Sequence, residues 1–186
     1  MIGLEGDLQY IKSVTREIKE IFKDFAPVNM GTTPGSKWLK DRFYLPYIRD
    51  EFMDNGVLVD TLETATTWSN LHHLYQKVRA AIIDSFSTEH RALVYCHISH
   101  SYTDGASLYF SIIALQDKAD PMAQWQKMKH AANRAILENG GVISHHHGIG
   151  LDHIEGMHWD QQQINMIGDL QRTVDPKSII NPGKLF

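Results

Sequence analysis

Cys96-His97-Ile98-Ser99-His100-Ser101-Tyr102-Thr103-Asp104-Gly105-Ala106-Ser107-Leu108-Tyr109-Phe110 decides how this chain folds. Residues 91–99 and 106–115 are β-branched, aromatic and apolar, and Thr103-Asp104-Gly105 lies between them. An Asp-Gly turn between two such runs marks a hairpin, because glycine accepts the positive φ that a tight turn demands. The two runs are therefore predicted to pair as antiparallel strands.

The pattern upstream of the hairpin supplies partners for it. Leu71, Leu74, Tyr75, Val78 and Ile82 recur at helical spacing behind a cap at Thr66 or Thr67. Val57-Leu58-Val59-Asp60 is a strand candidate, and a short helix over Pro46–Asn55 stops at Gly56. Residues 29–43, with Gly31, Pro34 and Gly35, read as loop. Asp7 caps a helix carrying Leu8, Ile11, Val14, Ile18, Ile21, Phe22 and Phe25, and Pro27 ends it. Met1-Ile2-Gly3-Leu4-Glu5-Gly6 reads as a short strand.

Downstream, Asp120-Pro121 opens a helix that Asn139-Gly140-Gly141 closes, and a last strand is expected after it. A final helix spans roughly Asp160–Val174, and Asp175–Phe186 is an extended, Pro-punctuated tail. This order predicts an α+β fold of the ferredoxin-like kind: an antiparallel sheet with helices on one face, plus a C-terminal helix and tail. No Gly-rich phosphate loop joins a strand to a helix, so no ordinary dinucleotide-binding unit is present.

Composition narrows the function classes. A net charge of −4 without a dense Lys/Arg run gives no electrostatic footprint for nucleic acid. The single Cys96 excludes an internal disulfide framework and a Cys-pair zinc site, and its apolar neighbours predict a buried strand thiol. No apolar run reaches the roughly 18–20 residues of a membrane span. A soluble intracellular protein is the expectation.

Histidine is in excess, with eleven in all and three consecutive at His145, His146 and His147. In an extended segment, alternate residues point to opposite sides, which predicts His145 and His147 on one site and His146 away from it. Imidazoles exchange protons near neutral pH, and Tyr109 on the returning strand is a neutral hydroxyl able to donate or shuttle a proton. Arg49, in Tyr47-Ile48-Arg49-Asp50, can fork onto a phosphate or carboxylate. Taken singly, these are also an ordinary solvated His cluster, a packing aromatic and a surface ion pair. A metal site on His97, His100 and the triplet is not assigned, because no carboxylate stands at ligand-like spacing.

Taken together the motifs carry a resemblance. Asn139-Gly140-Gly141 followed by Ser144-His145-His146-His147-Gly148-Ile149-Gly150 resembles the signature of the alkylglycerone phosphate (alkyldihydroxyacetone phosphate) synthases and their bacterial relatives, FAD-linked oxidases of the vanillyl-alcohol oxidase type. Tyr47-Ile48-Arg49-Asp50, Glu63-Thr64-Ala65-Thr66-Thr67-Trp68 and Tyr102–Phe110 are similar to that family's motifs in the same order. Ile180-Asn181-Pro182-Gly183-Lys184-Leu185 is shared more widely among FAD-linked oxidases.

The resemblance implies a substrate-binding cap domain over residues 1–158, with residues 159–186 as a helix and tail that dock on an FAD-binding domain outside this chain. It implies FAD, held mostly by that other domain, and a chain inactive alone. The synthases exchange the acyl group of acyl-dihydroxyacetone phosphate for a fatty alcohol in ether-lipid synthesis, with flavin N5 trapping the substrate carbon. Tyr109, His147 and His145 then match catalytic residues, Arg49 and His146 substrate-binding ones, and His147, Gly148, Asn181 and Lys184 contacts to the cofactor. A cytoplasmic or peripheral membrane location and a homodimer are compatible with it, as is a lipid-phosphate or 2-hydroxy-acid substrate.

Two other functions fit the residues less well. A 2-hydroxy-acid dehydrogenase of the same superfamily usually carries an acidic residue before His-Gly-Ile-Gly and a His near the position of Tyr109, where this chain has His146 and Tyr109. A stand-alone ferredoxin-like module would use the histidines to bind a metal or another ligand.

Overall fold

The computed structural model describes residues 2–157 and 159–184, which fall into two compact units divided after Glu51. Met1, His158, Leu185 and Phe186 lie outside the described residues. They are the start of the expected first strand, the expected domain boundary and the end of the tail.

The N-terminal unit is helical. Asp7 accepts hydrogen bonds from the backbone N–H groups of Gln9 and Tyr10, both at 2.9 Å, and so starts α1, Leu8–Phe22. One 3-10 turn, Lys23–Phe25, follows. The strand expected before Asp7 does not form, and residues 2–6 are irregular. The expected loop over 29–43 is instead largely α2, Thr33–Asp41. Pro34 stands in its first turn, where the missing N–H costs nothing, so the punctuation marked a helix start. Lys37 and Asp41 pair at 3.2 Å along it. Helix α3, Leu45–Asp54, leads into the second unit.

The second unit is the α+β layer the sequence predicted. Strand β1 is Val57–Thr67, longer than its apolar start suggested, and α4, Trp68–Ser85, follows directly. Thr67 occupies the cap position of α4 without a side-chain bond to the helix backbone. The hairpin is β2, Ala92–Ser101, and β3, Gly105–Leu115, and then comes α5, Pro121–Glu138. The sheet order β1-β3-β2, all antiparallel, is the order of a ferredoxin-like β-α-β-β-α run.

Alternation along the strands sorts the two faces of this sheet. Leu58, Leu62, Val94, Leu108, Phe110 and Ile112 point to one face and pack against Leu74, Val78 and Ile82 of α4 and Met128, Ala132 and Ile136 of α5. Phe110, Ile112, Leu74, Ile82 and Met128 are fully buried there. The other face carries Thr61, Glu63, Ser107, Tyr109 and His97 by the same register.

The strand expected after α5 is irregular, but it takes the place of the fourth strand beside β1. Gly140 N–H donates to Leu137 O and Gly141 N–H to Ile136 O, the double bond of a Schellman cap. The chain then runs along β1: Val142 N–H donates to Ala65 O, while Thr64 and Thr66 hydroxyls donate to Val142 O and Gly140 O. Threonine side chains thus do what a regular ladder would do. Gly141 is required by space, since a Cβ there would lie 2.7 Å from Thr64 Oγ1 and 2.9 Å from Leu74 Cδ2.

After the histidines come one 3-10 turn, Ile154–Gly156, and α6, Gln161–Val174, whose Asp160 and Gln163 form a capping box. The tail folds back on α6, with Ile180 N–H donating to the buried Asp175 carboxylate at 2.7 Å.

Candidate functional site

Glu63 and Tyr109 are paired across β1 and β3, and His97 pairs with Tyr109 from β2. Directly opposed residues of antiparallel strands share a face, so all three point away from α4 and α5. A register shift between Ile98 and Ser101 then places both Ser99 and His100 against Ser107. Such a bulge re-aims a side chain that alternation would hide.

The segment after Gly141 folds over this face. Its turns carry Gly148 at φ +75°, and Ser144 Oγ donates to Gly148 O at 2.9 Å. Because the segment is not extended, the expected alternation fails. All three histidines turn toward Glu63: His146 Nδ1 lies 2.5 Å from Oε2, His145 Nδ1 3.6 Å and His147 Nε2 3.8 Å. His100 Nδ1 stands 3.5 Å from Oε1.

Glu63 is the residue that sequence reasoning missed as a site residue. Its side chain is fully buried, Ser99 Oγ donates to Oε1, and Oε2 receives no well-directed hydrogen bond. His146 Nδ1 is close to that oxygen without forming a hydrogen bond to it. Burial by itself would raise the carboxyl's pKa, yet the hydrogen bonds from Ser99 and Ser107 and the nearby His146 and His145 hold it below the ordinary value. The signal that could have revealed it is a glutamate in mid-strand whose row across the sheet also holds Tyr109 and His97.

Tyr109 sits beside this cluster, its ring 5.2 Å from His97 and 5.9 Å, edge-on, from His147. Tyr102 OH and His145 Nε2 are hydrogen-bonded at 2.9 Å, which fixes that imidazole from its far side. His147 and His146 remain largely open at 40% and 47% exposure. The structure therefore joins Tyr109, His145, His146 and His147 in one site, with Gly148 in the same turn. Arg49 lies on α3 in the N-terminal unit, 3.4 Å from Asp50. Asn181 and Lys184 line a hollow of about 300 Å³ against Ile167, Leu170 and Val174 of α6.

The arrangement can relay a proton from a half-buried phenol through adjoining imidazoles, with a buried carboxylate fixing their orientation. The donor set also suits a flat heteroaromatic ring, since exposed imidazole edges beside a phenol can meet both its polar rim and its face. A flavin fits that description.

Comparison with known proteins places the whole chain in a family. The domain family described as FAD linked oxidases, C-terminal domain, matches residues 1–185. An alkyldihydroxyacetonephosphate synthase of Dictyostelium discoideum is 35% identical over all of this chain, which covers 31% of that protein. One from Trypanosoma brucei brucei is 29% identical with the same cover. A solved alkyldihydroxyacetonephosphate synthase structure superposes with a TM-score of 0.74 at 30% identity, over 98% of this chain and 30% of that one. The chain thus spans about a third of the length of the relatives it matches. With the family matched from end to end and the fold shared, the chain belongs to the C-terminal domains of the FAD-linked oxidases.

Proposed function

We propose that this chain is the substrate-side part of an FAD-dependent alkylglycerone phosphate synthase-like enzyme that exchanges acyl for alkyl on dihydroxyacetone phosphate. The observation that carries the reading is the joining of Tyr109, His145, His146 and His147 on the face of the sheet opposite α4 and α5. Similarity to synthases from two organisms over the whole chain supports the substrate class. Residues 1–158 are the cap, and residues 159–186, α6 with its tail, dock on the FAD-binding domain of the complete enzyme. When bound, the flavin would supply the reactive ring at which the exchange takes place.

The rest falls to residues of this chain. Tyr109 moves the proton next to the ketone, and His147, edge-on to it, passes that proton outward. His145 is held by Tyr102, and His146 offers an exposed edge to the substrate's anionic group. Arg49 supplies the cation for the phosphate or the departing acid. Gly148 allows the flavin close to the backbone, and Asn181 and Lys184 meet it from the tail. The isolated chain is inactive, since most of the cofactor's contacts lie outside it.

The test is product analysis with the longest polypeptide that the gene encodes. Acyl-dihydroxyacetone phosphate and a fatty alcohol should yield the ether product and free fatty acid with no net flavin reduction. Bleaching of the flavin by 2-hydroxy acids, without ether formation, contradicts the synthase reading and favours a dehydrogenase.

A further inference from the structure

We infer that Glu63, His100, His145 and His146 form a binding site for one divalent transition-metal ion of the zinc class. The inference rests on these four side chains and not on the flavin reading above.

One ligand atom from each of the four lies within 4.8 Å of the others. The three imidazoles present the same atom, Nδ1, toward one carboxylate. His145 Nδ1 and His146 Nδ1 are 3.2 Å apart, and each also faces Glu63 Oε2, at 3.6 and 2.5 Å. A cation between them would take a lone pair from each. Tetrahedral zinc, with bonds of about 2.0–2.1 Å, sets neighbouring ligand atoms about 3.3 Å apart. The spacings here bracket that value.

An independent observation is the carboxylate itself. Glu63 Oε2 is buried and accepts no hydrogen bond, an expensive state for an ionised oxygen unless a charge compensates it. A bound dication supplies that charge.

Construction of the site is also of the kind metals need. Glu63 is fixed in β1 and held from Ser99, and Ser107 contacts both Ser99 and His100. Tyr102 holds His145 through its other nitrogen, the arrangement that orients a metal-bound imidazole. His100, 45% exposed, can rotate to close the span. Three nitrogens and one carboxylate oxygen favour Zn²⁺, Co²⁺ or Ni²⁺ over Mg²⁺ or Ca²⁺. Tyr109 and His147 are left out of the set and stay free for other chemistry.

The test uses the 186-residue chain, stripped with a chelator and titrated with Zn²⁺ by calorimetry and with Co²⁺ by visible spectroscopy. One Zn²⁺ per chain and the d–d bands of low-coordinate Co²⁺ are expected. Glu63→Gln and His146→Ala should each weaken Zn²⁺ binding at least tenfold, with circular dichroism confirming the fold. His146 is half exposed, so its removal is the variant least able to unfold the chain. The double variant His72→Ala with His73→Ala, two histidines on α4, should bind as the parent does. Absence of stoichiometric binding, wild-type affinity in both site variants, or loss of binding in the α4 variant would overturn the assignment.

Discussion

Glu63 and Tyr109 are cross-strand partners, so a buried carboxylate and a half-buried phenol stand side by side beneath the folded-over histidine run. The two differ in what they touch. Glu63 faces His100 and all three consecutive histidines, while Tyr109 meets His97 and shares His147 with Glu63. Replacing Tyr109 by Phe removes one oxygen and no packing. In the flavin-carrying enzyme it should cost about 10²–10⁴ in kcat, the usual worth of a proton-transfer group. The melting temperature should not move. Unchanged kcat in a steady-state assay contradicts the role given to Tyr109.

Cys96, expected to be buried, is half-buried on β2 against the core, where desolvation pushes its thiol up to about 12. Burial favours the neutral form, so thiolate is scarce even at pH 9. Iodoacetamide should label the folded chain far more slowly than the urea-unfolded one across pH 7–9, with the gap narrowing as pH rises. Equal rates, read by mass spectrometry, contradict the burial.

Gly141 is the point where the chain leaves α5 and squeezes between Thr64, Leu74 and Ile136. Gly141→Ala should destabilise the fold by about 1–3 kcal/mol, the range for overpacking a filled interior. It should also displace the segment that delivers His145. Gly3→Ala, with nothing within 4 Å of the added carbon, is the matched control and should leave the urea midpoint unchanged.

Lys129 is buried on α5, 3.0 Å from Asp60 and 3.6 Å from Asp152, and it donates to Thr61 O. It ties β1 and the segment after the histidines to the same helix. Lys129→Met keeps the aliphatic stem but leaves two carboxylates without their cation, at a cost of about 3 kcal/mol. Chemical denaturation measures it, and a loss below a few tenths of a kcal/mol contradicts the pairing.

The hairpin, the helices of the second unit and the layer order were legible because each rests on local pattern: alternation, a capping residue, an Asp-Gly turn. Helix α2 was not, because Gly and Pro signal a helix start as well as a loop. The histidine geometry was hidden for a different reason. His146 turns toward Glu63 only because the segment bends at Gly148 and is laced to β1 by Thr64 and Thr66. His100 reaches the same place through a one-residue bulge. Neither the bend nor the bulge leaves a period in the sequence, and Glu63 becomes a site residue only once both exist.

The most direct measurement is the visible absorption spectrum of the longest polypeptide the gene encodes, beside that of the 186-residue chain and of the long form carrying His147→Ala. Flavin bands in the long form, none in the short one, and a displaced band in the His147 variant are the expected result. Flavin in neither form, or a band indifferent to His147, would contradict the placement of this face against the cofactor.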